Sequence, residues 1–195
     1  MTIQPTPSRL AMAGRLAMVS ALLAVPWFIL TFALDEKAGE AVRLIQFIVL
    51  VVGTGLLIFL MTTLRILLRQ GFAYRRADAP IVLLVTANVA SALMGGTAIL
   101  FPEAGRFLDI AGLALVVATG AVQILFGVRL LRLPDNLRGM LRPFCYLNIA
   151  TGVLLTTVLL LPVGVVTSAI ADVMLGTIFL QAAREATENE TKGNA

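Results

Sequence analysis

The chain has 195 residues, 59% of them hydrophobic and 13% charged, with a formal net charge of +4. A soluble domain carries about a quarter charged residues, so the composition points to a membrane protein without a separate soluble domain. There is no histidine and one cysteine, Cys145. That excludes imidazole-ligated metal and haem sites, triads with an imidazole base, cysteine-pair sites and intrachain disulfides. No cofactor or metal is expected, and the sequence shows no GxxxxGK[ST] or HExxH motif. The only lysines, Lys37 and Lys192, lie outside the apolar runs, so no Schiff base forms inside the bundle.

Six apolar runs predict helices over 12–34, 42–64, 80–101, 107–131, 144–161 and 163–182. Each holds roughly 18–25 residues, which at about 1.5 Å per residue crosses a hydrocarbon core of about 30 Å. Arg9 precedes the first run and Arg15 sits at its start. Its apolar stretch, Leu16 to Leu34, exceeds the usual signal-peptide core of about 7–15 residues, so an uncleaved first helix is expected. Pro26 and Trp27 lie near its middle and suggest a kink. Asp35 to Gly39 closes it. Arg65, Arg69, Arg75 and Arg76 surround the connection between the second and third runs.

The third run carries Asn88, Ser91 and Gly95 on one face. Phe101 to Gly105 forms a Pro- and Gly-containing turn. The fourth run has Asp109, Gly112, Val116, Thr119 and Gln123 along one face. Arg129, Arg132, Arg138 and Arg142 surround the next connection. Asn148, Gly152 and Thr156 share a face of the fifth run, and the uncharged turn Leu161 to Gly164 leads into the sixth. There Ser168, Asp172 and Gly176 recur every four residues on one face. The tail, 184–195, is polar and is expected to be a disordered cytoplasmic extension of a single transmembrane domain, 1–183.

Lys and Arg divide twelve to three between alternate connections, with only Lys37, Arg43 and Arg106 on the sparse side. The positive-inside rule then gives six transmembrane helices in three hairpins with both termini cytoplasmic. This all-α, polytopic reading leaves the bilayer as the main partner and excludes nucleic acid. An internal repeat at an offset of 60 residues pairs Asn88 with Asn148, Ser91 with Thr151, Thr97 with Thr157 and Pro102 with Pro162.

Asp172 falls near the bilayer midplane, where a carboxylate must be protonated, paired or hydrated. No basic residue lies at matching depth. With Asn148, Asn88, Ser168 and Gln123 it forms a candidate intramembrane polar cluster. The cluster is either a polar cavity with a protonatable group or a set of interhelical hydrogen bonds in which Asp172 bonds Asn148 or Asn88. Arg65, Arg69, Arg75, Arg76, Arg138 and Arg142 are candidates for contact with anionic lipid, beside their plain role in topology. Acidic residues are scattered, and no pair at catalytic spacing marks an enzyme.

The run Gly95-Gly96 to Pro102 with Gly112, Gly120 and Gly127, and then Gly152 to Pro162 with Gly176, resembles the small bacterial HdeD/DUF308 membrane proteins. The resemblance covers about residues 80–183. It implies a six-helix protein of the bacterial inner membrane, linked in some members to acid stress, with no catalytic residues to carry over. Two functions follow as expectations. One is a non-enzymatic membrane component that acts as a subunit, with another membrane protein or itself, or in stress physiology. The other is a small proton-coupled transporter or channel-like bundle centred on Asp172.

Overall fold

The computed structural model describes residues 6–34, 39–72, 74–101, 105–133, 139–157 and 160–193. They form six helices: α1 (Pro7–Leu34), α2 (Glu40–Gly71), α3 (Asp78–Leu100), α4 (Gly105–Leu130), α5 (Leu141–Thr156) and α6 (Leu161–Gly193). All six predicted helices are present, and most run further than hydropathy alone indicates. α1 starts at Pro7, where proline suits the first turn because its missing N–H has no helical acceptor. α2 continues seven residues past 64, burying Leu67 and Leu68 along one side. α6 continues through the segment expected to be disordered. Ala182, Ala183, Arg184, Glu185 and Ala186 are strong helix formers. The Thr187 and Thr191 hydroxyls donate to carbonyls one turn back, Ala183 O and Thr187 O. The polar tail is thus a helical projection.

Among the described residues, five of the six helices are long and apolar enough to cross a membrane: those over Pro7–Pro26, Glu40–Gly71, Asp78–Leu100, Ile110–Leu130 and Pro162–Glu188. α5 has 16 residues, about 24 Å at about 1.5 Å each. Thr156 and Thr157 end it, their hydroxyls donating at 2.7 and 2.8 Å to Val153 O and Leu154 O, three residues back. Such bonds give the chain an alternative to the helical ladder, and Pro162 soon after has no N–H to continue it.

Each helix packs on its neighbours in sequence and α1 packs on α6, so the contacts form a closed cycle. The two most extensive contacts, α1 with α6 and α4 with α5, join helices of different expected hairpins, while α1 with α2 is the slightest. Both large contacts rest on glycine pairs. A Cβ on Gly14 would lie 2.9 Å from Gly176 O, and one on Gly176 would lie 2.8 Å from Gly14 O. Gly120 and Gly152 relate α4 to α5 in the same way, at 2.7 and 2.5 Å. Only residues without a Cβ let the backbones come this close.

The buried core is confined to one half of the bundle. Its members are Leu10 to Ala17 of α1, Leu60 to Leu68 of α2, Ala77 to Leu84 around the start of α3, Phe126 to Leu133 at the end of α4, Leu141 to Cys145 of α5 and Ala171 to Ala183 of α6. These segments form one buried cluster, so they share the end where the chain enters α1 and leaves α6. We call this the terminal end, and the opposite one the turn end. Phe126 and Phe144 meet there edge to face, centroids 6.3 Å apart at 85°.

Gly152→Ala should destabilise the protein by about 1–3 kcal/mol, because its Cβ meets backbone atoms that cannot give way. Gly53→Ala, with nothing within 4 Å of the new Cβ, should be neutral or slightly stabilising. Thermal unfolding of both variants in one detergent checks this; equal midpoints would contradict the glycine contact.

Candidate functional site

A cavity of about 240 Å³ lies between the helices, and all six contribute to its wall. Its position follows from the core. Met61, Leu84, Phe144 and Leu175 line it and also belong to the buried core of the terminal half, so they form an apolar floor. Leu155, Gly164 and Val165 line it nearer the turn end.

All five residues of the predicted intramembrane cluster, Asp172, Asn148, Asn88, Ser168 and Gln123, line this cavity. Thr119 and Thr151 join them. Thr119 had been placed on the same face as Gln123 by its four-residue spacing. Thr151 was legible only as the counterpart of Ser91, and nothing in its apolar neighbours marks it as facing a cavity. Asp109 was expected on the Gln123 face near the end of α4; its side chain lies outside the described residues.

The hydrogen bonds around the cavity have a consistent direction. The Asn148 amide donates from Nδ2 to Phe144 O at 2.9 Å, and the Asn88 amide from Nδ2 to Leu84 O, also at 2.9 Å. The Thr119 and Thr151 hydroxyls donate to Leu115 O and Leu147 O. Gln123 Nε2 donates across to Asn148 Oδ1 at 3.3 Å, joining α4 to α5. The helix ladder and this one bridge therefore take up five donors. Asp172 receives none of them. No hydrogen bond joins Asp172 to Asn148 or Asn88, whose amides each donate to their own helix. Among the described residues Asp172 has neither a hydrogen-bond nor an ionic partner, and no other titratable side chain lines the cavity. Asp172 is half-buried, and a polar group withdrawn from solvent usually has a partner.

The six arginines considered for anionic lipid divide into three situations. Arg65 and Arg69, one turn apart at the end of α2, both bond Asp78 at the start of α3, Nε to Oδ1 at 2.9 Å and Nε to Oδ2 at 2.7 Å. Their charge is largely answered within the protein. Arg75, Arg76 and Arg142 are exposed at the terminal end. Arg138 lies outside the described residues. The connection carrying Arg75 and Arg76 is further fixed by the Tyr74 hydroxyl, which donates to Arg129 O at 2.6 Å, and Arg9 stands 5.9 Å over the Phe59 ring.

The fold and the apolar helices define the class: a multi-pass, all-α membrane bundle. Comparison of the chain with family models, with curated proteins and with solved structures gives no match in any of the three. Among the described residues no group of three or more acidic or cysteine side chains is placed to hold a metal ion.

Asp78→Asn should cost up to about 1 kcal/mol, since both arginines are partly exposed and the pairs are screened by salt. The loss should shrink at high ionic strength, and hydrogen exchange should rise in the backbone of 72–77. Unchanged exchange there would mean that Tyr74 alone holds the connection.

Proposed function

We propose that the protein binds a small polar solute in the cavity between its helices and couples the solute's passage to the taking and releasing of a proton by Asp172. The observation that carries this reading is the unpartnered Asp172 carboxyl on the wall of a 240 Å³ cavity. A bundle serving only as a structural subunit gains nothing from such a space, because an empty, polar-lined void weakens packing and leaves polar groups unsatisfied. The reading as a stress-related subunit with no interior site would instead need the cavity to be without ligand and Asp172 to be replaceable.

In this reading the terminal end faces the cytoplasm of a bacterial inner membrane. The charges support it: Arg9, Arg15, Arg65, Arg69, Arg75, Arg76, Arg129, Arg132, Arg142 and Arg184 all belong to the terminal half by their place in the helices. An even number of crossings then requires the short α5 to pass as well, in a bundle of three hairpins. The offset of 60 residues supports duplication of the second and third hairpins: Leu84 and Phe144, and Asn88 and Asn148, stand in that relation and line the same cavity. Asn88 and Asn148 also make the same bond to the carbonyl four residues back.

Reconstituted in liposomes with a trapped pH indicator, the protein should admit protons when a pH gradient is imposed in the presence of a transported solute. Asp172→Asn keeps size and polarity but cannot titrate, and should lower that flux at least about tenfold if the carboxyl carries the proton. Proton entry that is equal in variant and unmodified protein would remove the coupling role.

A further inference from the structure

The polar wall of the cavity is unbalanced, and the imbalance identifies the kind of solute it suits. Amides and hydroxyls each carry both donors and acceptors. Here each of Asn88, Asn148, Thr119 and Thr151 spends a donor on a helix carbonyl, and Gln123 spends one on Asn148. The oxygen of Asn148 is used in that last bond. What remains is one amide hydrogen each on Asn88, Asn148 and Gln123, the Ser168 hydroxyl, the oxygens of Asn88 and Gln123, the hydroxyl lone pairs and both carboxyl oxygens of Asp172. The residues around the cavity include no Lys, Arg or His to balance them, so Asp172 is the one group on this wall that can carry charge. Donors and acceptors both remain, but the only charge this wall can carry is negative, so it favours a cation over an anion.

The rest of the wall is hydrocarbon, with Leu57, Met61, Leu84, Phe144 and Leu175 among its contributors. A divalent cation takes about six to eight oxygens, usually from several carboxylates; this wall supplies one carboxyl beside neutral amide and hydroxyl oxygens, and among the described residues no group of three acidic or cysteine side chains could hold a metal ion. A protonated amine fits both parts. Its N–H donors meet Asp172 and the amide oxygens, and its carbon stem lies on the apolar floor.

From this geometry we infer that the cavity is a binding site for a small protonated alkyl amine, its ammonium group on Asp172 and its alkyl stem against Leu84, Phe144 and Leu175. The inference rests on the cavity's being a solute site. It adds the sign of the solute's charge and its amphiphilic shape. It also gives Asp172 a reason to exchange a proton: the carboxyl carries either a proton or the ammonium, so the two compete for one place and can be moved in opposite directions.

The test is binding of n-hexylammonium to the purified full chain in neutral detergent, read as the shift in unfolding midpoint with ligand concentration. n-Hexanol and n-hexanoate have the same stem and enter micelles too, so they separate the charge from the chain. Hexylammonium should raise the midpoint saturably, and hexanol and hexanoate should not. Asp172→Asn should weaken the hexylammonium effect at least about tenfold, as loss of a charge-assisted hydrogen bond does, while Asp172→Glu should retain part of it. If the Asn variant does not fold, the three ligands on the unmodified protein decide alone. Equal effects of the three, no saturable effect of hexylammonium, or the same stabilisation by sodium chloride alone would each overturn the inference. Binding is measured without a gradient, so a saturable amine effect beside absent proton flux would leave this site standing and remove the transport reading. Proton flux that depends on Asp172 without amine binding would do the reverse.

Discussion

In a bilayer the hydrophobic effect does not bring helices together, because lipid tails are as apolar as leucine, and helix association depends on close packing and polar contacts. Everything else in this bundle depends on where such close packing is possible. Gly14 with Gly176 and Gly120 with Gly152 bring two pairs of backbones to a distance that a single methyl group would forbid. These pairs lie on the two most extensive helix contacts. α2 has no equivalent: the added Cβ atoms of Gly53 and Gly55 meet nothing within 4 Å, and its contact with α1 is the slightest within the cycle.

The cavity is a consequence of packing that is good at one end only. Leucines and phenylalanines fill the terminal half, and the buried cluster stops at about the level of Leu60, Leu84, Cys145 and Ala171. Polar side chains begin at that level: Asn88 lies one turn beyond Leu84, Asn148 one turn beyond Phe144, and Asp172 one residue from Ala171. Amides and a carboxyl do not interdigitate as branched hydrocarbons do, and each needs partners that hydrocarbon cannot provide. The floor of the cavity is therefore the edge of the core, and its polar wall is the first layer past that edge.

Helix number and the polar faces were legible in the sequence because both are written in local periodicity. Hydropathy shows the runs, and the four-residue spacing of Ser168 with Asp172 and of Thr119 with Gln123 puts each pair on one face. Helix ends were less legible. At Thr156 the end depends on two hydroxyls that choose carbonyls three residues back, and beyond Leu64 and 182 the helices persist on residues too charged to count as a span. The partners of the polar groups were the least legible. Whether an asparagine bonds its own helix or the next depends on distances of a few tenths of an ångström between backbones, which the glycine contacts set and no spacing encodes. The preference of Asn88 and Asn148 for their own carbonyls leaves Asp172 without the partners its depth suggested.

The two acidic residues Asp78 and Asp172 show how the same side chain is given opposite roles by depth. Asp78 stands where α2 and α3 reach the boundary of the apolar layer, and two arginines one turn apart meet its two oxygens. Both carboxyl oxygens are taken, and a further cation would have to displace an arginine. Asp172 lies where, among the described residues, no arginine reaches it and where each amide directs a hydrogen to another acceptor. A carboxyl in that position is satisfied only by something from outside the fold, whether a proton, water or a cationic solute. Stability alone favours an apolar residue there, since replacing an unsatisfied polar group by hydrocarbon of similar shape relieves its desolvation. The presence of an acid among leucines is then best understood through what it binds, and the cavity beside it provides the space in which that binding can occur.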